Sequence, residues 1–224
     1  MRENAKGAVL FFAVLALASL ACSALSRLPG GIGGGGDTAL IRDDFSDSGS
    51  GWGTGTDPQS SVEYQNSGLH MQIFKDNFFT WSNPNRKTYK NVHMEVTVKN
   101  QSGDTRAGFG LMCNQQAADG SYYYFAVTPE GEYVIGKSEA GKDDVFLTNN
   151  DSWGSSDKIA KNASSYRLAA DCGPGNLVLY VNGEKVDSAA DTGYTDGAVG
   201  LFLWSGDVPS GEVTYDDFVM TQLK

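Results

Sequence analysis

Apolar and polar residues alternate along most of the chain after residue 38. In segment 92–99, valine and methionine occupy the even positions, and histidine, glutamate, threonine and lysine occupy the odd ones. A period of two places alternate side chains on opposite faces of a β-strand. Segment 92–99 is therefore predicted to be a strand with one face in a core.

Similar short segments continue to the end of the chain. Fourteen strands are predicted, at 38–45, 62–65, 68–74, 77–82, 91–99, 106–115, 121–128, 131–138, 144–148, 165–172, 175–182, 184–189, 197–204 and 212–222. Turn residues separate them, including Pro129-Glu130-Gly131 and Asn182-Gly183. Many short strands with regular turns favour an all-β fold, a jelly-roll β-sandwich of two antiparallel sheets.

Composition and charge argue against one class of binding partner. The chain has 224 residues, 28 of them glycine, and a net charge of −10. Without the leader's Arg2, Glu3 and Lys6, Lys+Arg falls to 15 and Asp+Glu to 26, a net charge of −11. An acidic surface repels phosphate backbones, so nucleic acid is not expected as a partner.

The first residues resemble an export signal. Arg2 and Lys6 precede an apolar run over 7–21, which is shorter than the roughly 20 apolar residues of a membrane-spanning helix. Ser19-Leu20-Ala21-Cys22 resembles a bacterial lipobox, although its leucine lies two places before the cysteine where three is usual. The alternative is ordinary signal-peptidase cleavage after Ala18, which would give a secreted protein.

These features predict three regions. Residues 1–21 are a signal peptide, 22–37 a glycine-rich linker lipid-anchored at Cys22, and 38–224 one jelly-roll domain. The expected location is the bacterial cell surface, with contact to the membrane through the lipid only.

The chain has three cysteines, and lipidation of Cys22 would leave an even pair. Alternation places Cys113 and Cys172 on the core sides of their strands. In an oxidising compartment we expect them to form a disulfide, with two buried thiols as the alternative.

Several motifs in order resemble the concanavalin A-like lectin/glucanase superfamily, in its laminin G-like and 3-keto-disaccharide hydrolase-type branch. They are 42–47 with Gly51-Trp52, 66–73, 108–112, 122–126, 180–186, 197–201 and 213–218. The resemblance covers about residues 39–222. It implies the jelly-roll fold and a role as lectin, hydrolase, adhesion module or spacer.

Catalysis is the less favoured of these roles. Glycoside hydrolysis normally uses two facing carboxylates, which laminarinase-type members of the superfamily place in an E-x-D pattern, and the sequence has no E-x-D. We therefore expect a non-catalytic domain that binds glycan or cell-envelope polysaccharide. A glycoside hydrolase and a protein-adhesion or structural module are the alternatives.

Aromatic and planar polar residues are expected together on the strand faces opposite the core, where they could stack on sugar rings and bind hydroxyl groups. The predicted ligand-binding residues are Glu95, Asn114, Tyr122, Tyr124, Arg167 and Trp204 on these faces, with Trp153 and Trp81 at the rim. The alternative is that loops cover this face and the aromatic residues are ordinary packing.

The resemblance also implies a structural calcium ion, because jelly rolls of this superfamily often hold one. If the first and last strands are neighbours, its ligands would be Asp43, Asp44, Asp216 and Asp217. No other cofactor is expected.

Overall fold

The computed structural model describes residues 39–223, so the predicted signal peptide, the linker and Cys22 lie outside the described residues. The described part contains sixteen strands and no helix. No helix in it is long and apolar enough to cross a membrane. The strands are β1 (Ala39–Asp43), β2 (Gly55–Thr56), β3 (Ser60–Tyr64), β4 (Leu69–Ile73), β5 (Phe79–Ser82), β6 (Val92–Asn100), β7 (Gly108–Gln115), β8 (Tyr122–Val127), β9 (Glu132–Ser138), β10 (Val145–Phe146), β11 (Gly154–Ser155), β12 (Ser165–Gly173), β13 (Asn176–Val181), β14 (Glu184–Ala189), β15 (Ala198–Trp204) and β16 (Gly211–Gln222).

The strands form two antiparallel sheets. The large sheet has nine strands in the order β14-β13-β12-β6-β16-β4-β3-β2, and β1 also pairs with β16. The small sheet has seven strands in the order β10-β9-β8-β7-β15-β5, and β11 also pairs with β9. The predicted all-β, two-sheet architecture is confirmed.

All fourteen predicted strands are present, and two were missed. The missed strands, β2 and β11, are each two residues long. A strand this short shows no alternation of apolar and polar positions in the sequence. The predicted strand at 144–148 is shorter than expected and covers only Val145–Phe146.

The core lies between the sheets. On β6 the residues expected to point inward, among them Met94 and Val96, are fully buried, and the intervening residues are partly or fully exposed. The alternation on β16 changes phase at Asp217, which has a φ of 51° where the pairing with β6 contains a bulge. Because of this extra residue, Tyr215 and Phe218 both point into the core.

Several side-chain connections join the two sheets, and two of them lie in the core. The first is the disulfide between Cys113 of β7 and Cys172 of β12, as the sequence predicted. The second is the hydroxyl of Tyr215, a fully buried residue of the large sheet. It accepts a hydrogen bond from the amide of Gly110 (3.1 Å) and donates one to the carbonyl oxygen of Phe202 (2.5 Å), both on the small sheet. Burial raises the pKa of Tyr215, so its hydroxyl keeps the proton that it donates.

Loss of the disulfide should lower the free energy of unfolding by about 4 kcal/mol. The disulfide joins two cysteines 59 residues apart in sequence and so restricts the conformations of the unfolded chain. Urea unfolding of C113A, C172A and the double variant measures the effect. The two single variants and the double variant should have nearly equal stabilities, since either substitution removes the bond. Additive losses from the two substitutions would contradict a disulfide.

Candidate functional site

The outer face of the small sheet is lined by glycine and aromatic residues. Gly108 and Gly110 of β7, Gly136 of β9 and Gly200 of β15 are buried there. A Cβ atom at Gly108 would lie 3.1 Å from Cε3 of Trp204, and one at Gly136 would collide with the ring of Tyr124. The missing side chains therefore let aromatic rings lie directly against the sheet.

These rings line a groove of about 230 Å³, which we call the aromatic groove. Its lining residues are Phe79, Tyr122, Tyr124, Ala126, Ser138, Asp144, Phe146, Trp153, Phe202 and Trp204.

Ring contacts fix the shape of the groove. Trp153 and Trp204 stack with centroids 5.7 Å apart and an interplanar angle of 14°. Phe79 stacks on Phe202 at 5.2 Å and on Tyr122 at 6.0 Å. Several of these rings are only partly buried, Trp153 and Trp204 among them, and their free edges and faces are available to a ligand.

Polar groups at the groove are few. Burial raises the pKa of Tyr122 to about 12. Burial also raises the pKa of Tyr124, and the carboxylate of Asp144 raises it further. Both phenols therefore stay protonated at neutral pH and can donate hydrogen bonds. Asp144 can accept them, and it is the one carboxylate among the described residues that line the groove.

Of the eight predicted ligand-binding residues, four line the groove: Tyr122, Tyr124, Trp153 and Trp204. A fifth, Trp81, lies beside it on β5, 49% exposed and with its ring centroid 5.8 Å from that of Phe79. The structure therefore brings five of the eight together on the small sheet.

The other three do not join them. Glu95 of β6 and Arg167 of β12 are on the large sheet, so the expectation that they lie beside the aromatic residues was wrong. Asn114 is only 1% exposed, and its Nδ2 donates to the carbonyl oxygen of Tyr194 at 3.0 Å. Its φ of 50° also breaks the alternation at the end of β7.

Residues that sequence reasoning missed complete the groove. Phe79 has a detectable signal, since it shares a strand face with Trp81 two residues later. Phe146 belongs to the two-residue strand β10, and Asp144 directly precedes that strand. A strand this short has no detectable alternation, so the sequence pattern could not assign either residue to the groove.

Glu95 and Arg167 belong to a polar network on the outer face of the large sheet. Nη2 of Arg167 donates to Oε2 of Glu95 at 2.9 Å. His93 lies between two carboxylates, with Nδ1 2.5 Å from Oδ1 of Asp171 and Nε2 3.0 Å from Oε1 of Glu95. Only the doubly protonated imidazolium can donate both of these bonds.

The pKa values in this network reflect the pairing. The hydrogen bond to Asp171 raises the pKa of His93 above 6.5, against the opposing effect of burial. Burial alone would raise the pKa of Glu95 and Asp171, but the hydrogen bonds from His93, together with Arg167 for Glu95 and Tyr180 for Asp171, lower both. The network therefore favours a cation at position 93.

The four carboxylates predicted to bind calcium lie near the β1–β16 pair, as expected from neighbouring terminal strands. Those of Asp43, Asp44 and Asp216 already accept hydrogen bonds, from Trp52 Nε1, Ser46 and Lys99 respectively. Within residues 39–223, no three His, Cys, Asp or Glu side chains are arranged to hold a metal ion. Calcium binding at these residues stays a prediction.

Protonated His93 should stabilise the fold, fully so below its unfolded pKa of about 6.5. This contribution should disappear as the pH rises through the raised pKa of the folded state. We expect the loss of unfolding free energy in H93Q, measured with urea, to be larger at pH 5.5 than at pH 9. K99Q, which removes the Lys99–Asp216 ion pair on the same face, is the control and should show no such change. An H93Q effect independent of pH would contradict a charged His93.

No protein-family model matches the chain. No curated protein matches it in sequence.

Solved structures do match it in fold. The carbohydrate-binding module CBM66 from Bacillus subtilis is 16% identical, with a TM-score of 0.58, over 77% of this chain and 96% of that one. A protein of unknown function with a galectin-like fold, also from Bacillus subtilis, is 13% identical, with a TM-score of 0.62, over 84% and 97%.

A β-glucanase from Bacillus licheniformis is 15% identical, with a TM-score of 0.58, over 82% of this chain and 98% of that one. At these identities the likeness concerns the fold alone. Residues 39–223 form a jelly-roll domain of two antiparallel sheets, and the fold class predicted from the sequence is confirmed.

Proposed function

We propose that the domain binds glycan in the aromatic groove, without hydrolysing it, at the surface of a bacterial cell. The observation that supports this most is the groove itself: stacked, partly exposed rings beside two protonated phenols and one carboxylate. Sugars present C–H faces to aromatic rings and hydroxyl groups to hydrogen-bonding side chains, so this combination suits a sugar ring.

The similar structures support a carbohydrate ligand. They include a carbohydrate-binding module and a β-glucanase, so the fold occurs both with binding and with hydrolysis.

The groove favours binding over hydrolysis. A glycosidase normally needs a second carboxylate about 5–9.5 Å from the first, and Asp144 has no such partner among the described residues lining the groove. Asp144 is also exposed, whereas the general acid of a glycosidase usually lies in an apolar pocket.

The glycan should stack on the Trp153–Trp204 pair, so W153A and W204A should each lower its affinity at least about tenfold, equal to about 1.4 kcal/mol. The full-length chain in detergent is screened on a glycan array, and the affinity for the best ligand is measured by calorimetry. F74A is the control, because Phe74 is 45% exposed but follows β4 of the large sheet.

Thermal unfolding of each variant must show that it is folded at the assay temperature. A blank array, or full affinity in both tryptophan variants, would contradict glycan binding in the groove. Release of shorter products from the bound glycan, lost in D144N, would favour the hydrolase alternative instead.

The cell-surface part of the proposal rests on Cys22, which we propose carries a lipid. Expressed in a bacterium, the wild-type chain should fractionate with membranes, and the peptide that begins at Cys22 should carry a diacylglycerol mass. The C22A variant should be released or remain uncleaved, whereas C113A should still carry the lipid. A mature chain that begins at Ser19 would support simple secretion.

A further inference from the structure

A second depression adjoins the aromatic groove on the side of β5. It has a volume of about 510 Å³ and is lined by one wall from 51–62 and another from 80–86. We call it the Trp81 recess, because Trp81 lines it. The ring of Trp81 also lies against Phe79, which lines the groove. The groove and the recess therefore meet at this aromatic pair.

Hydrogen bonds hold the two walls of the recess together. The amide of Gly53 donates to the carbonyl oxygen of Asn83 at 3.1 Å, and Oγ of Ser82 donates to the carbonyl oxygen of Gly53 at 2.8 Å. Gly51 has a φ of 103°, and a Cβ atom there would lie 2.8 Å from the carbonyl oxygen of Pro84. The recess is therefore preformed, and a ligand need not order its walls.

The volumes indicate a ligand longer than the groove. At 230 Å³ the groove is below the roughly 300–1,000 Å³ of typical small-molecule sites. The recess more than doubles the available space. At their junction Trp81 is 49% exposed, the largest exposed fraction of any large hydrophobic side chain in residues 39–223. A chain that leaves the groove along β5 would cover this ring.

The recess also contains an available cation. Arg86 lines it, and no carboxylate in residues 39–223 forms an ion pair with Arg86. Lys87 and Lys90 follow in the same loop and have no ion-pair partner in that part of the chain either. Arg86, Lys87 and Lys90 thus make a local positive run in an acidic domain.

One carboxylate, that of Asp57, also lines the recess. Its Oδ1 accepts hydrogen bonds from the amides of Gln59 and Ser60 at 2.7 and 2.8 Å, and no ion pair joins it to Arg86 in the described chain. A second carboxylate, that of Glu63, lies behind the wall of the recess, where its Oε1 accepts a hydrogen bond from Oγ1 of the lining residue Thr56 at 2.7 Å, and no ion pair joins it to Arg86 in residues 39–223 either.

We propose that the Trp81 recess is a second sugar subsite, in which Trp81 stacks on the next ring of the chain and Arg86 binds its carboxylate or sulfate group. Guanidinium groups bind both anions with two parallel hydrogen bonds. The ligand is then an extended acidic polysaccharide. This inference rests on the proposed function and names the ligand class of the same site.

The test uses the full-length chain in detergent on an array of matched pairs. One series contains uronic acid oligosaccharides of one to six rings beside their methyl esters, and the other contains sulfated oligosaccharides beside their desulfated forms. Wild type should prefer the charged member in at least one series, and its affinity should rise with chain length. R86Q should lose the charge preference, with an affinity loss of about tenfold.

W81A should lose the gain in affinity from chain length, about tenfold for long chains. The controls are R42Q, which replaces an exposed arginine of the large sheet, and F74A. Glycan binding in the groove with no charge preference, or with R86Q and W81A unchanged, would overturn the inference and leave the proposed function standing. A blank for every glycan with wild type would overturn both.

Discussion

The small sheet is apolar on both faces, and the rest of the site depends on this constraint. The first seven residues of β7 are all buried, whereas residues of β6 alternate between buried and partly exposed. The large sheet covers one face of β7, but within residues 39–223 no third sheet covers the other. Aromatic side chains from β5, β8, β15 and the segment around Trp153 cover it instead. The layer that removes this face from water is therefore also the layer that forms the groove.

The outer face of the large sheet is polar and does not have to be removed from water. Its outer face has histidine, carboxylate and arginine groups that satisfy one another, as in the His93, Glu95 and Arg167 network. Such a face needs no cover, because water and ion pairs can solvate it. The disulfide and the hydroxyl of Tyr215 connect the large sheet to the small sheet through the core. The small sheet thus has a supported inner face beneath its groove.

Alternation was enough to predict the strands and the core positions of Cys113 and Cys172, because facing the core is a local property of a strand. It could not predict which sheet a strand joins, since strand order depends on pairing between distant segments. This is why Glu95 was placed beside Tyr122 although the core separates them. Residues with positive φ, such as Asn114 and Asp217, change the phase and are not visible in the pattern. Asp144 was missed because loop geometry brings it to the groove.

The separation of the two sheets also bears on whether the groove binds a glycan or hydrolyses it. The domain has many carboxylates, yet those of Glu95, Asp171 and Asp216 project from the large sheet on the far side of the core. They cannot act with Asp144 on one glycosidic bond, because the thickness of two packed sheets separates them, about 10 Å before side chains are added. The rings of the groove, in contrast, need no partner in order to bind: each exposed edge or face that a sugar covers removes further apolar surface from water. The chemistry gathered on the small sheet therefore supports the proposal that the domain holds a glycan without cleaving it.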